Sequence, residues 1–267
     1  MGFFERIGNG ISIGFFSIFL PLRHPRLYMY SLLNLVIMGM VFSYIGFVAL
    51  AQHLLLTSPS YFLSFLIYVV GFTLGSLVYV GLIRTVVGSY QGKSYGFFQA
   101  MEVSVTQLFY IFILTFLSTL INQLPGLAPS VASLGVVAFI LAFFFGIINT
   151  FFLPVLAFER TGFFDIIGRS LRYFGRGIIE IISSMAVVSI VMGLFTGFAV
   201  FCIISFAGAE QVQLAARGSI SWLSVFMPIM WLVVIVGVVF WMFITGVMTI
   251  MPTMYDYLTH DRKNPRG

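Results

Sequence analysis

Residues 154–180 read PVLAFERTGFFDIIGRSLRYFGRGIIE, from Pro154 to Glu180, and stand between two long apolar runs. At 100° per residue, Phe163, Ile167, Leu171, Phe174 and Ile178 share one face of a helix, while Asp165, Arg169, Arg172 and Arg176 share the opposite face. The pattern predicts an amphipathic helix lying in a membrane surface, a cytoplasmic elbow between two membrane spans. Composition agrees: 60% of the 267 residues are hydrophobic and 8% are charged, where a soluble domain carries about 25% charged residues. The expected fold is all-α, a single polytopic membrane domain over 1–267.

Outward from that elbow, six runs are long and apolar enough to cross a hydrocarbon core of about 30 Å, which takes about 20 helical residues. They lie near 27–51, 61–87, 103–121, 131–158, 178–206 and 222–251. Gln107, Thr115, Ser118 and Thr119 dilute the third. An interfacial N-terminal helix is expected over 1–26 and a solvated cytoplasmic tail over 252–267. The runs are continuously apolar, as helical spans require, rather than alternating as barrel strands do. Arg6 before the apolar stretch Ile11–Leu22 imitates a signal peptide, but no small-x-small cleavage site follows, so the segment reads as retained. Arg6 also occupies the position where a myristoylation site needs Ser or Thr.

The basic residues fix the expected orientation. In a six-span layout, Arg6, Arg23, Arg26, Arg84, Lys93, Arg160, Arg169, Arg172, Arg176, Arg262, Lys263 and Arg266 fall on one side, and Arg217 alone falls on the other. The positive-inside rule then makes both termini and the elbow cytoplasmic, in a bacterial inner membrane. The net charge of +5 has anionic lipid rather than nucleic acid as its expected counter-ion, because the cations flank spans.

Gly2-Phe3-Phe4-Glu5-Arg6-Ile7-Gly8-Asn9-Gly10 aligns with Gly162-Phe163-Phe164-Asp165-Ile166-Ile167-Gly168-Arg169-Ser170, and Gly96-Phe97-Phe98 is a looser third copy with Ser104 at the offset of Ser170. Each copy precedes two expected spans, which parses the chain as three units of surface helix plus transmembrane hairpin. The competing explanation is abundance of Phe and Gly, and a fourth G-F-F at Gly14-Phe15-Phe16 fits no unit.

Gly71-x-x-x-Gly75 and Gly193-x-x-x-Gly197 mark faces where helix backbones can approach closely, within one chain or between copies. Pro154 removes a backbone donor and is expected to kink the fourth span. Asn34 and Asn149 are the most polar side chains at depth. No ionisable residue lies near the middle of an expected span, which counts against a proton-coupled pump. The single Cys202 excludes an intrachain disulfide, and Asp256, His260 and Asp261 read as a solvated tail rather than a metal site. No cofactor is expected. Within the charge cluster of the elbow, Arg160, Arg169, Arg172 and Arg176 are candidate contacts for lipid head groups, and the plain structural alternative pairs Asp165 with Arg169 at i, i+4.

Phe151-Phe152-Leu153-Pro154-Val155-Leu156-Ala157-Phe158-Glu159, then Gly162 and Arg169-Ser170, resembles the signature of a family of uncharacterised bacterial six-span integral membrane proteins. The opening, with a surface helix ending near Ser17 and Arg23-His24-Pro25-Arg26-Leu27 before the first span, is similar too. The signature is distantly similar to that of the membrane domains attached to glycerophosphodiester phosphodiesterases. The resemblance implies the six-span fold and no reaction. The expected role is non-enzymatic: a scaffold or accessory subunit of a membrane complex that contacts membrane phospholipids, with a homo-oligomer or a membrane-protein partner. The alternatives are a passive channel or small-solute permease along Asn34, Asn149 and Pro154, and a membrane-embedded lipid-modifying enzyme acting near Glu159.

Overall fold

The computed structural model describes residues 2–55, 61–127, 132–159, 161–207, 218 and 222–260, and every element among them is a helix. In chain order these are α1 (Phe3–Arg23), α2 (Leu27–Leu55), α3 (Tyr61–Tyr90), α4 (Phe97–Met101), α5 (Val105–Leu127), α6 (Ala132–Phe158), α7 (Phe163–Ala207), α8 (Trp222–Met248) and α9 (Ile250–His260). Apolar segments withdrawn from water must close their backbone hydrogen bonds internally, which a helix does. Five stretches among the described residues are long and apolar enough to cross a membrane: Leu27–Val48, Phe62–Tyr90, Phe139–Phe158, Phe163–Phe198 and Val236–Thr259. By length and composition the chain is a multi-pass helical membrane protein. The apolar part of α5, Val105–Ile121, is shorter.

Two expectations are corrected. The elbow helix and the span expected to start at 178 are one helix, α7, 45 residues long. Nothing in the sequence forces a break there: Gly175 and Gly177 each cost only about 1 kcal/mol in a helix, far less than a proline. At 1.5 Å per residue α7 is about 67 Å long, beyond the roughly 45 Å of a whole bilayer with its head groups. The C-terminal segment is the second correction. It continues as α9 to His260, and Thr253, Met254, Tyr255, Tyr257 and Leu258 are buried rather than solvated.

Contacts group the chain into two compact units, one holding Met1–Arg23 and Ile179–Ile250, the other His24–Ile178 and Met251–Arg266. In the first, α1 runs parallel to α7 in close contact. A Cβ on Gly10 would lie 2.9 Å from the Glu180 Cα, and one on Gly14 would lie 3.0 Å from the Ser184 carbonyl oxygen, so only glycine permits this approach. Farther along α1, the Thr249 hydroxyl donates to the Ser17 carbonyl at 2.9 Å, and Gly246 of α8 faces the Ile18 backbone. The buried side of α1 is Asn9, Gly10, Ile13, Gly14, Ser17, Ile18, Leu20 and Pro21, while Phe3, Phe4, Phe15 and Phe19 are exposed. Asn9, Gly10, Gly14 and Ser17 face protein together with Ile13, Ile18 and Leu20, while these phenylalanines face outward, as suits a helix whose small residues allow close packing and whose surroundings are lipid. Ser184 and Thr245 bond carbonyls of their own helix, those of Ile181 and Trp241, whereas the buried Ser17 hydroxyl has no partner among the described residues.

In the second unit α2 and α3 pack through Gly71, which faces Val41, and Gly75, which faces Met38 and Asn34. The deepest side chains, including Leu82, Ile83, Val87, Phe151, Phe152, Val155, Ile166 and Met254, gather where α3 and α6 end and α7 and α9 begin. Tyr90 at the end of α3 bonds Thr253 of α9 at 3.1 Å. That junction carries the candidate site.

Candidate functional site at the end of α6

The last turn of α6 leaves carbonyls without intrahelical partners, and two side chains from other helices take them. Gln107 of α5 donates through Nε2 to the Leu156 carbonyl at 2.7 Å, and Arg84 of α3 through Nε to the Ala157 carbonyl at 3.2 Å. The same Arg84 guanidinium reaches the end of α4, bonding the Ala100 carbonyl at 3.2 Å and the Glu102 carbonyl. One cation thus lies against the negative ends of two helices, where the summed peptide dipoles favour positive charge.

Glu159 follows directly. Its backbone N–H still bonds the Val155 carbonyl at 2.8 Å, holding the residue on the helix end. Its side chain, 14% exposed, is engaged at both oxygens. Oε1 accepts from the Tyr173 hydroxyl at 3.2 Å and the Tyr255 hydroxyl at 3.1 Å, and Oε2 is paired with Arg169 Nη1. The two phenol rings meet edge to face at 5.6 Å, and Phe158 stacks on Tyr255 at 5.8 Å. Glu159 therefore ties the loop after α6 to two turns of α7 and to α9. The pairing of Asp165 with Arg169 is corrected: Arg169 reaches back across Gly162 to Glu159.

Arg169 itself is 45% exposed, and Arg172 and Arg176 on the following turns are exposed as well. Arg160 lies outside the described residues. Pro154 is buried inside an unbroken α6. Asn149 donates to Ser118 of α5 at 3.3 Å, whereas Asn34 sits against Gly75 of α3, so these two polar residues serve different helix contacts. A Cβ on Gly193 or Gly197 would meet nothing within 4 Å, unlike one on Gly71 or Gly75.

The sequence did not mark Arg84, Gln107, Tyr173 and Tyr255 as residues of the site. Arg84 had a usable signal, since it is an ionisable residue inside an otherwise apolar run, where such groups are costly and need partners. The tyrosines had none, because their convergence on Glu159 depends on where α9 docks.

Fold and site together define a polytopic helical membrane protein in which Glu159 is bonded at both carboxylate oxygens and the arginines beside it are exposed. No protein-family model, curated protein or solved structure matches the chain.

Proposed function

We propose that the protein is a non-enzymatic scaffold or accessory subunit of a membrane complex, contacting anionic phospholipid head groups through Arg169, Arg172 and Arg176. The observation that carries this reading is the division of labour at the α6–α7 junction. Glu159 spends both oxygens on Arg169, Tyr173 and Tyr255, donors of its own fold that hold it in a structural tie, while the basic face of α7 is exposed. Forked guanidinium donors suit phosphate. In this reading α5 makes a sixth crossing, as the family resemblance implies, the distribution of cations puts both termini in the cytoplasm of a bacterium, and the three G-F-F copies head three repeated units.

Arg169 holds the junction together, so the test leaves it in place. The full chain carrying Arg172→Gln and Arg176→Gln is titrated in detergent with fluorescent phosphatidylglycerol. At about 1 kcal/mol per basic residue near an anionic surface, affinity is expected to fall roughly tenfold or more. Unchanged affinity overturns the head-group role.

A passive solute path is the second reading, favoured by Asn34: its Oδ1 is buried and has no hydrogen-bond partner among the described residues. Solute flux in proteoliposomes that is lost with Asn34→Leu would support it.

A further inference from the structure

Three helices open on one local pattern. Gly2-Phe3-Phe4-Glu5 starts α1, Gly96-Phe97-Phe98-Gln99 starts α4 and Gly162-Phe163-Phe164-Asp165 starts α7. In each, the Gly carbonyl accepts the first helical hydrogen bond, from Arg6, Ala100 and Ile166 respectively. In the first two the fourth side chain reaches back to the Gly N–H, Glu5 at 3.2 Å and Gln99 at 3.3 Å. The paired rings meet edge to face every time, at 5.7, 5.3 and 5.6 Å.

The outcome is also the same. Phe4, Phe98 and Phe164 are 84%, 82% and 84% exposed, more than any other phenylalanine described. In the second unit the first ring of each pair is the anchor: Phe97 stacks on Tyr30 at 4.7 Å, and Phe163 packs against Tyr110 at 5.5 Å and Phe152 at 5.8 Å. The second ring is thereby held outward rather than left to fold back.

Leaving a phenylalanine in water forgoes about 2–3 kcal/mol relative to burying it, and the pattern does so three times with the same edge-to-face ring pair. The surroundings identify the cover. The chain is multi-pass, Phe163 begins a candidate span, and Arg6, Lys93 and Arg169 lie within five residues of Phe4, Phe98 and Phe164 respectively. Exposed apolar rings next to cations are the composition of a helix seated at the boundary between acyl chains and head groups.

We infer that Phe4, Phe98 and Phe164 are bilayer-insertion residues that sink into the upper acyl region of the surrounding lipid. The inference rests on the multi-pass reading and not on the head-group role of the arginines, so it is tested in neutral lipid, where that role has no bearing.

The full chain carrying Cys202→Ser and one of Phe4→Cys, Phe98→Cys or Phe164→Cys is labelled with an environment-sensitive fluorophore and reconstituted in phosphatidylcholine vesicles. A nitroxide at acyl carbon 5 is expected to quench each site about twofold or more over one at carbon 12, with little quenching by aqueous iodide. Dominant iodide quenching at any of the three sites places that ring in water and overturns the shared role. Protection from both quenchers, which means a protein cover, overturns it equally. If Cys202→Ser does not fold, the signal of the labelled native chain is subtracted instead.

Discussion

Arg6 and Glu180, 174 positions apart in the chain, meet through a two-pronged ion pair, Nε to Oε1 at 2.8 Å and Nη2 to Oε2 at 2.7 Å. Gly10, one turn beyond Arg6 on the same face of α1, is what brings the two backbones near enough for the fork to close. The pair is asymmetric: the Glu180 side chain is 3% exposed and that of Arg6 24%. Removing the cation strands a buried carboxylate, whereas a bereft arginine can turn its head outward.

Arg6→Leu is therefore expected to destabilise the protein by about 3 kcal/mol, and Glu180→Gln by about 1 kcal/mol. The double change Arg6→Leu with Glu180→Leu should regain part of the first loss. Thermal unfolding in one detergent compares all three; equal losses from the single changes would contradict the asymmetry.

Gly71, Gly193 and Gly197 of the two G-x-x-x-G motifs should divide in sign. Gly71→Ala presses a methyl group into Val41, whose branched side chain has little rotameric freedom, and is expected to cost about 1–3 kcal/mol. Gly193→Ala and Gly197→Ala meet nothing within 4 Å and should each gain about 0.5–1 kcal/mol from helix propensity. Melting in micelles reads both effects. A loss at Gly193 or Gly197 would instead reveal that a second copy packs there.

Arg84→Gln should cost about 2–4 kcal/mol, because it strips a charged donor from the carbonyls of Ala100, Glu102 and Ala157. Arg84→Lys is expected to restore less than half of this, since an ammonium group lacks the planar fork that serves two helix ends at once. Denaturation midpoints of the two variants make the comparison, and full rescue by lysine would argue that charge alone matters.

Tyr173→Phe and Tyr255→Phe each delete one hydrogen bond to the same oxygen of Glu159 and should each cost about 1–2 kcal/mol. Because both donors share that oxygen, the double variant is expected to fall short of the sum, and a double-mutant cycle measures the coupling. Strict additivity would show that the two hydroxyls do not act on one carboxylate.

Much of the helical layout was legible in advance. The helices start within two residues of five of the six expected spans, because a long apolar run free of proline-glycine turns has no other way to satisfy its backbone. The continuity of α7 was misread because its charges stop near Glu180, and a change in polarity looks like a change of element. It is not one: Arg6 satisfies Glu180, so the helix runs on through it. The burial of α9 was missed for a related reason. Tyr255 and Tyr257 sit among polar neighbours in sequence, and only their docking beside Glu159 and α3 takes them out of solvent.

By itself the sequence determined the class of the protein, where most of its apolar helices begin and the clustering of its cations along the chain, since each follows from local composition and the energetic demand that lipid places on an unpaired backbone. Tertiary structure alone decided which charges are paired. Arg6 with Glu180, Arg169 with Glu159 and Arg84 with two helix ends are contacts across 174, 10 and up to 73 residues. The first depends on how close Gly10 and Gly14 let α1 come to α7, and the other two on where α7 and α3 pass the end of α6, which local composition does not contain.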